Sequence, residues 1–296
     1  MNNYQKKWMY LLVLSLIWGS SFILIKKSLV GLTALQMGAL RIIITGLILI
    51  GIGYKSLKTI DKENYKWIAA TGFLGTFFPA FLFSFAVSEL DSAIASILNS
   101  LVPLNTILIS LFVYKIASTK RQFVGVFIGL AGTMLLIFHG AQINPHQNYG
   151  YAVLVILATI SYALSVNIIK KYLQHEGALA IAAGNFVAIV IPASIVLLVS
   201  DFFTTSTFEG ETFYESMGYI VILAIVGTAL AKVLFNKLVH IASPVFAASV
   251  TYVMPLVAVL WGVMDGEKIG VIQVFGGVII LIGVYLANKK QKADTN

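Results

Sequence analysis

The sequence predicts an all-α membrane protein of ten transmembrane helices, arranged as two inverted five-helix repeats. Three observations carry that expectation. Of 296 residues, 59% are hydrophobic and 11% charged, a composition outside soluble-domain usage. Ten apolar stretches are each long enough, as helices, to cross roughly 30 Å of hydrocarbon. The third observation is repetition. Gly75-Thr76, Phe83, Ala95 and Pro103-Leu104 recur as Gly227-Thr228, Phe235, Ala247 and Pro255-Leu256 at a constant offset of 152 positions (227 − 75, 255 − 103). Upstream, Ser21, Ile25, Lys26-Lys27 and Ala34-Leu35 recur as Ser165, Ile169, Lys170-Lys171 and Ala178-Leu179 at an offset of 144 (170 − 26, 178 − 34). A longer loop in the second half absorbs the difference. A repeat with an odd number of spans must enter the membrane from the opposite side in its second copy, which is the inverted-repeat signature of a secondary transporter.

The first unit, 8–140, holds spans at 8–25, 34–53, 66–86, 92–114 and 122–139. The first span follows Lys6-Lys7 as a signal peptide would, but Gly19, Ser20 and Ser21 make a poor cleavage site and the span has a counterpart in the second half. It is therefore read as a retained helix. Pro79 kinks the third span and Pro103 the fourth, while Gly125, Gly129 and Gly132 space the fifth for close helix contact. The second unit, 148–288, holds spans at 150–169, 178–200, 217–236, 243–262 and 270–288, with Pro192 in the seventh, Pro255 in the ninth and Gly276-Gly277 with Gly283 in the tenth. The glycines are read as packing within the monomer, with a homodimer face as the alternative. The longest connection, 201–216, carries Asp201, Glu209, Glu211 and Glu215 and reads as a solvated acidic loop.

The net charge of +8 is not a nucleic-acid footprint, because its distribution follows the membrane. One set of connections holds fifteen basic residues: Lys6, Lys7, Lys55, Lys58, Lys62, Lys66, Lys115, Lys120, Arg121, Lys170, Lys171, Lys237, Lys289, Lys290 and Lys292. The opposite set holds three, Lys26, Lys27 and Lys268. This positive-inside bias places both termini in the cytoplasm of an inner (plasma) membrane protein. There is no cysteine, and His139, His146, His175 and His240 are scattered without metal-ligand spacing. No metal or cofactor is expected; the expected partners are the lipid bilayer and a small-molecule substrate.

All twelve carboxylates lie in connections or at span edges, which argues against coupling through a midplane acid. Two cations do interrupt apolar spans, Arg41 in the second and Lys232 in the eighth. An unpaired charge at mid-bilayer costs about 2.5 to 3.5 kcal/mol on the insertion scale, so each needs a partner, water or a purpose. Arg41 aligns with Asn185, a recurring polar position, and is read as structural or gating, bonding free carbonyls or an edge acid such as Glu89 or Asp91. Lys232 aligns with Ala80. Lacking a symmetric counterpart, it is read either as a substrate ligand or as a snorkelling side chain. Pro103 and Pro255 each free a carbonyl four residues back, at Asn99 and Thr251, so each unit offers a polar side chain and an unpaired carbonyl at mid-membrane. Ser100 and Tyr252 follow directly. Trp18 sits mid-span in Trp18-Gly19-Ser20-Ser21-Phe22 and aligns with Tyr162, whereas Trp8, Trp67 and Trp261 fall near span ends as an interfacial belt would. The candidate substrate-binding residues are thus Trp18, Asn99, Tyr162, Lys232, Thr251 and Tyr252, with Arg41, Pro103 and Pro255 structural or gating; no catalytic residue is expected.

Trp18-Gly19-Ser20-Ser21-Phe22, Arg41, the two matched prolines, Gly266-Glu267 and Gln273 with Gly276 and Gly283 resemble a bacterial EamA-type transporter of the drug/metabolite transporter superfamily, two EamA units covering nearly everything from Trp8 to Asn288. Two residues depart from the pattern: Lys115 stands where the aligned second-unit residue is Glu267, and Ile42 follows Arg41 where the family often has an aromatic. The resemblance implies a ten-helix inner-membrane carrier with a central cavity between the units, exporting amino acids, other small metabolites or drugs by alternating access. Lys232 tilts the expected cargo toward amino acids or organic anions. A membrane-embedded enzyme lacks carboxylate pairs or a thiol here, and a pore lacks a repeated polar ring.

Overall fold

The computed structural model describes residues 2–113, 120–143 and 146–288. Lys115, Lys289, Lys290 and Lys292 lie outside the described residues. Helices α1 (Asn3–Ser28) and α2 (Ala34–Leu57) run unbroken, each opened by a capping box, Asn2 with Gln5 and Thr33 with Gln36. The third segment is interrupted: α3 (Tyr65–Gly72) passes through a π-helical turn at Phe73–Phe77 into α4 (Phe78–Val87). The fourth is split into α5 (Ser92–Asn99) and α6 (Val102–Phe112). After α7 (Lys120–Ile143) come α8 (Ala152–Tyr172), α9 (Ala178–Leu198) and a short α10 (Thr205–Phe208) in the acidic connection. Then α11 (Phe213–Ile222) leads through a second π-helical stretch, Leu223–Leu230, into α12 (Ala231–Ile241). Next, α13 (Pro244–Ala248), a 3-10 turn (Ser249–Tyr252) and α14 (Met254–Met264) make another broken segment, and α15 (Val271–Asn288) closes the chain.

No strand occurs among the described residues. Eight helical segments there are long and apolar enough to cross a membrane: Asn3–Ser28, Ala34–Leu57, Lys62–Val87, Ser92–Ile109, Tyr149–Tyr172, Ala178–Leu198, Phe213–Ile241 and Phe246–Met264. The remaining expected spans, 122–139 and 270–288, coincide with α7 and α15.

The prolines break helices more sharply than the expected kinks. Pro103 and Pro255 each stand in the first turn of a new helix, α6 and α14, where a missing N–H costs nothing. Pro192, by contrast, stays inside the continuous α9. Pro79, whose counterpart at the 152 offset is Ala231, follows the first π-helical turn. That irregularity is matched after all, because Leu223–Leu230 loosens at the 152 offset without any proline. Gly75 and Gly227 lie inside the two loosened stretches, so the backbone feature persists where the proline does not.

Two helix pairs pack too tightly for larger side chains. On α2 and α9, Ile42, Leu49, Phe186, Ile189 and Ala193 form a buried cluster, and a Cβ added at Gly53 would meet Ala183 Cβ at 2.6 Å. On α7 and α15, a Cβ at Gly132 would meet the Gly276 carbonyl at 2.8 Å, and one at Gly283 would strike the Gly125 and Gly129 backbone. The glycine faces therefore meet within the chain. Elsewhere α1 packs on α12 and α14, α4 on α8, and α5 on α14. Apolar side chains such as Phe127, Met134, Ile191 and Leu260 point outward, as lipid contact requires.

At one end of the molecule the turn after α14, with Gly266 at φ +84°, swings Glu267 beneath α5. Glu267 accepts from the N–H groups of Ser92 and Ala93 (both 3.1 Å) and from Ser92 Oγ (2.7 Å), capping that helix. Lys26 pairs with Glu267 and Asp265 (2.9 Å each), and Lys27 with Asp265. At the other end, buried Glu176 accepts from the Asp61 N–H (3.0 Å) and Asn64 Nδ2 (2.8 Å), and Trp67 stacks on Tyr172 at 3.9 Å.

Candidate functional site

The broken segments surround one cavity of about 90 Å³ at the centre of the helices. Its polar lining includes Trp18, Ser21, Arg41, Thr76, Asn99, Tyr162, Ser165, Thr228, Lys232 and Thr251, and its apolar lining includes Phe22, Phe83, Phe235 and Met254. Among the described residues two cations line it and no carboxylate does.

The loosened backbone accounts for how two donors are held. Pro79 has no N–H to return to the carbonyl four residues back, so Gly75 O is left without its helical donor. Lys232 Nζ donates to it at 2.8 Å. At the equivalent place, the Ala231 N–H donates to Val226 O and Thr228 O, and Trp18 Nε1 donates to Gly227 O at 3.0 Å. Neither glycine tolerates a side chain: a Cβ at Gly75 would crowd Ser165 Oγ and lie 3.1 Å from Lys232 Nζ, and one at Gly227 would lie 2.8 Å from Ser21 Oγ. Lys232 is 7% exposed. It points inward to the first unit's backbone instead of running along α12 toward the surface.

Arg41 Nε donates to Thr228 Oγ1 at 2.8 Å, and Thr228 Oγ1 in turn donates to Leu223 O. Among the described residues Glu89 and Asp91 take part in no ion pair. The aligned Asn185 bonds α3, just before the other loosened stretch, with Nδ2 donating to Ile68 O (2.7 Å) and Thr71 Oγ1 (2.8 Å).

Of the residues expected at the site, Trp18, Arg41, Asn99, Tyr162, Lys232 and Thr251 surround the cavity, while Tyr252, Pro103 and Pro255 are not among its lining residues. The backbone turns at Ser249–Tyr252, so consecutive side chains there diverge. The paired free carbonyls expected behind the two prolines are not equivalent either. Ser100 Oγ of the first unit donates to Thr251 O at 3.1 Å, and the Thr251 hydroxyl bonds Ala248 O at 2.9 Å, so both groups at the second unit's break have partners. Sequence reasoning missed Thr76, Thr228, Ser21 and Ser165 as lining residues. All four lie in the repeated motifs, and a polar residue repeated at mid-span was the signal that could have found them.

Helical spans broken at mid-length around a partly polar cavity define a polytopic membrane protein of the carrier type. The chain belongs to the EamA-like transporter family, which matches it over residues 6–138 and again over 150–289. It is 26% identical over 291 residues to the uncharacterized inner membrane transporter YedA of Escherichia coli, covering 93% of this chain and 90% of that one. It is 26% identical over 287 residues to Protein PecM of Dickeya dadantii (93% and 92% covered). It is also 23% identical over 290 residues to a probable amino-acid metabolite efflux pump of Salmonella typhimurium (93% and 92% covered). A crystal structure of another protein superposes with a TM-score of 0.65 at 18% identity, covering 95% of both chains, a likeness in fold.

Proposed function

We propose that this protein is an inner-membrane secondary carrier that exports small anionic or zwitterionic metabolites, amino acids or organic anions, by alternating access through the central cavity. The observation that carries the reading is the cavity's charge: Arg41 and Lys232 line it and no carboxylate does. Fixed cations in a low-dielectric site favour a negatively charged group over a cationic drug. The volume of about 90 Å³, against roughly 300 to 1,000 Å³ for drug-sized pockets, favours small cargo.

The mechanism rests on ten spans in two inverted units with both termini cytoplasmic. Supporting it are the two family matches, the constant offsets, the loosened stretches at equivalent places and the contacts α2 on α9, α7 on α15 and α5 on α14, each pairing corresponding spans of the two units. In such an architecture the units rock about a fixed site. Trp18, Tyr162, Asn99, Thr251 and Lys232 would contact the substrate, with Arg41 positioned by Thr228. Pro103 and Pro255 would provide the breaks that let the halves of each span move. The bilayer and the small-molecule substrate are the partners in this reading.

The test is saturable flux with countertransport in proteoliposomes, screened over radiolabelled amino acids and organic anions. Lys232→Gln should weaken the apparent affinity of the transported species about ten- to a hundredfold, as loss of a charge-assisted bond would. An unchanged affinity at equal folded protein would overturn the anionic reading. A reporter fused after Asn288 that works only in the periplasm would overturn the topology.

A further inference from the structure

Among the described residues, seven buried side-chain atoms have no hydrogen-bond partner: Thr76 Oγ1, Asp91 Oδ2, Ser96 Oγ, Asn99 Oδ1, Asn185 Oδ1, Asn236 Oδ1 and His240 Nε2. Of these seven, Thr76 and Asn99 also line the cavity. Thr76 is 7% and Asn99 3% exposed. Burying a polar atom without a partner is costly, and such an atom persists in a site where something else meets it.

The chemistry of Asn99 Oδ1 has a sign, since an amide oxygen only accepts, whereas the Thr76 hydroxyl can both accept and donate. Asn99 Nδ2 faces Met254 Sδ at 3.9 Å. A thioether only accepts, so this orientation of the amide is the favourable one and leaves the carbonyl oxygen without a partner. Asn99 also contributes the main-chain carbonyl whose helical donor Pro103 removes. Thr76 Oγ1 has two lone pairs. This pole of the cavity is rich in acceptors, whereas Arg41 and Lys232 bring only donors and positive charge.

We propose that Thr76 Oγ1 and Asn99 Oδ1 form a second pole of the substrate site and accept hydrogen bonds from a donor group, an ammonium or a hydroxyl, on the same molecule whose anionic group faces Arg41 and Lys232. The inference rests on the anionic reading above and narrows it: the cargo is bifunctional, a carboxylate with a hydrogen-bond donor close by, and a plain fatty acid or other donor-free anion is discriminated against. Without a carboxylate in the lining, an ammonium is met by neutral acceptors and by the faces of Trp18, Tyr162, Phe83 and Phe235.

The test uses matched probes that share a body and a carboxylate and differ in one group. L-leucine carries an ammonium, 2-hydroxyisocaproate a hydroxyl and 4-methylpentanoate neither; alanine and phenylalanine head two parallel series. Binding to purified full-length protein in nanodiscs is measured for the wild type, Asn99→Leu, Thr76→Val, Asn99→Asp and Lys232→Gln. In at least one series the wild type should bind a donor-bearing member about tenfold more tightly than the donor-free one. Asn99→Leu should erase that preference, Thr76→Val should reduce it, and Asn99→Asp, which keeps the acceptor, should preserve it for the ammonium. Thr76→Val removes a hydroxyl that makes no bond and Asn99→Leu gives up only the 3.9 Å contact of Nδ2 with Met254 Sδ, and Asn99→Asp guards against a variant that fails for other reasons. Lys232→Gln should weaken all members alike. A preference that survives Asn99→Leu, or a wild type that binds donor-free acids as well as the others or binds none of the nine compounds, overturns the proposal. If solvent alone occupies the second pole, no preference appears. If Lys232→Gln leaves every affinity unchanged while the donor preference follows Asn99, the anionic reading fails and the donor pole stands.

Discussion

The two halves of this protein place equivalent residues around one cavity and then treat them differently. In the second half, Thr228 accepts from Arg41 and donates to Leu223 O, and the Thr251 carbonyl and hydroxyl both have partners. Their first-half equivalents, Thr76 and Asn99, keep buried oxygens without partners. The asymmetry reverses for the cation: Lys232 stands in the second half and Ala80 at the matching place in the first. The repeated architecture supplies broken helices and loosened backbone twice, and each half spends them on a different task. The second half presents a charge and has its polar groups met, in part by Arg41 and Ser100 of the first half; the first half keeps two oxygens open to hydrogen bonding.

The comparison is broken most severely by exchanging the cation. Lys232→Ala combined with Ala80→Lys should fold poorly, because the acceptor equivalent to Gly75 O is Gly227 O, which Trp18 Nε1 already occupies. The new lysine would be unpaired at mid-membrane, at a cost of about 2.5 to 3.5 kcal/mol, read as lost monodisperse protein in detergent. Adding Trp18→Phe frees the carbonyl and should restore part of the folded yield; no restoration would show that the glycine carbonyls are not interchangeable.

Next in size is the threonine pair. Thr228→Val removes the partner of the Arg41 guanidinium and should lower stability by about 1.5 to 3 kcal/mol, the worth of a hydrogen bond to a charged group. Thr76→Val removes a hydroxyl that bonds nothing and should leave the unfolding midpoint unchanged or raised. Equal losses at both positions would mean that Thr76 is satisfied in the folded protein.

Ser100→Ala leaves the Thr251 carbonyl without its donor, for about 1 to 3 kcal/mol. Thermal unfolding beside Asn99→Leu, expected to be near neutral, measures whether the fourth and ninth segments lean on one another in only that direction.

The smallest effect is at the ends. Lys26-Lys27 and Lys170-Lys171 are equivalent, yet the first pair meets Asp265 while Lys170 bonds Gln174 and Val239 O. Burial alone would raise the Asp265 carboxyl, but hydrogen bonds from Lys27 and Lys26 outweigh it and hold the group below its ordinary value of 3.8. A depressed carboxylate contributes stability above the unfolded pKa and loses it as pH falls through the lower native one. The wild type should therefore lose a small increment of thermal stability below about pH 4 that Asp265→Asn never has. Parallel acid profiles for the two proteins would remove Asp265 from the account.

How much of this was legible beforehand differs by residue. Composition and apolar length announce a helical membrane protein, since hydrocarbon leaves the backbone few other ways to pair its own groups. Pro103 and Pro255 announce freed carbonyls and kinks, because a missing N–H is a local fact, but that these two break their helices while Pro192 does not was not legible locally. Arg41, Lys232, Trp18, Tyr162, Asn99 and Thr251 stood out as polar or amphipathic residues inside apolar runs, and all six line the cavity. The π-helical stretch at Leu223–Leu230 has no proline to betray it, and Tyr252 looked equivalent to its neighbour until the 3-10 turn sent the two side chains apart.

What the sequence determined by itself was which residues cannot be at ease in the membrane. What only the tertiary structure decided was which of them are relieved. Lys232 finds Gly75 O 157 positions away, Ser100 finds Thr251 O 151 positions away, and Trp18 finds Gly227 O 209 positions away. Each bond exists because separate helices approach within about 3 Å, a distance set by packing across the whole bundle and by no local pattern. The same packing leaves Thr76 and Asn99 without partners, so the open pole of the site is a property of the folded assembly.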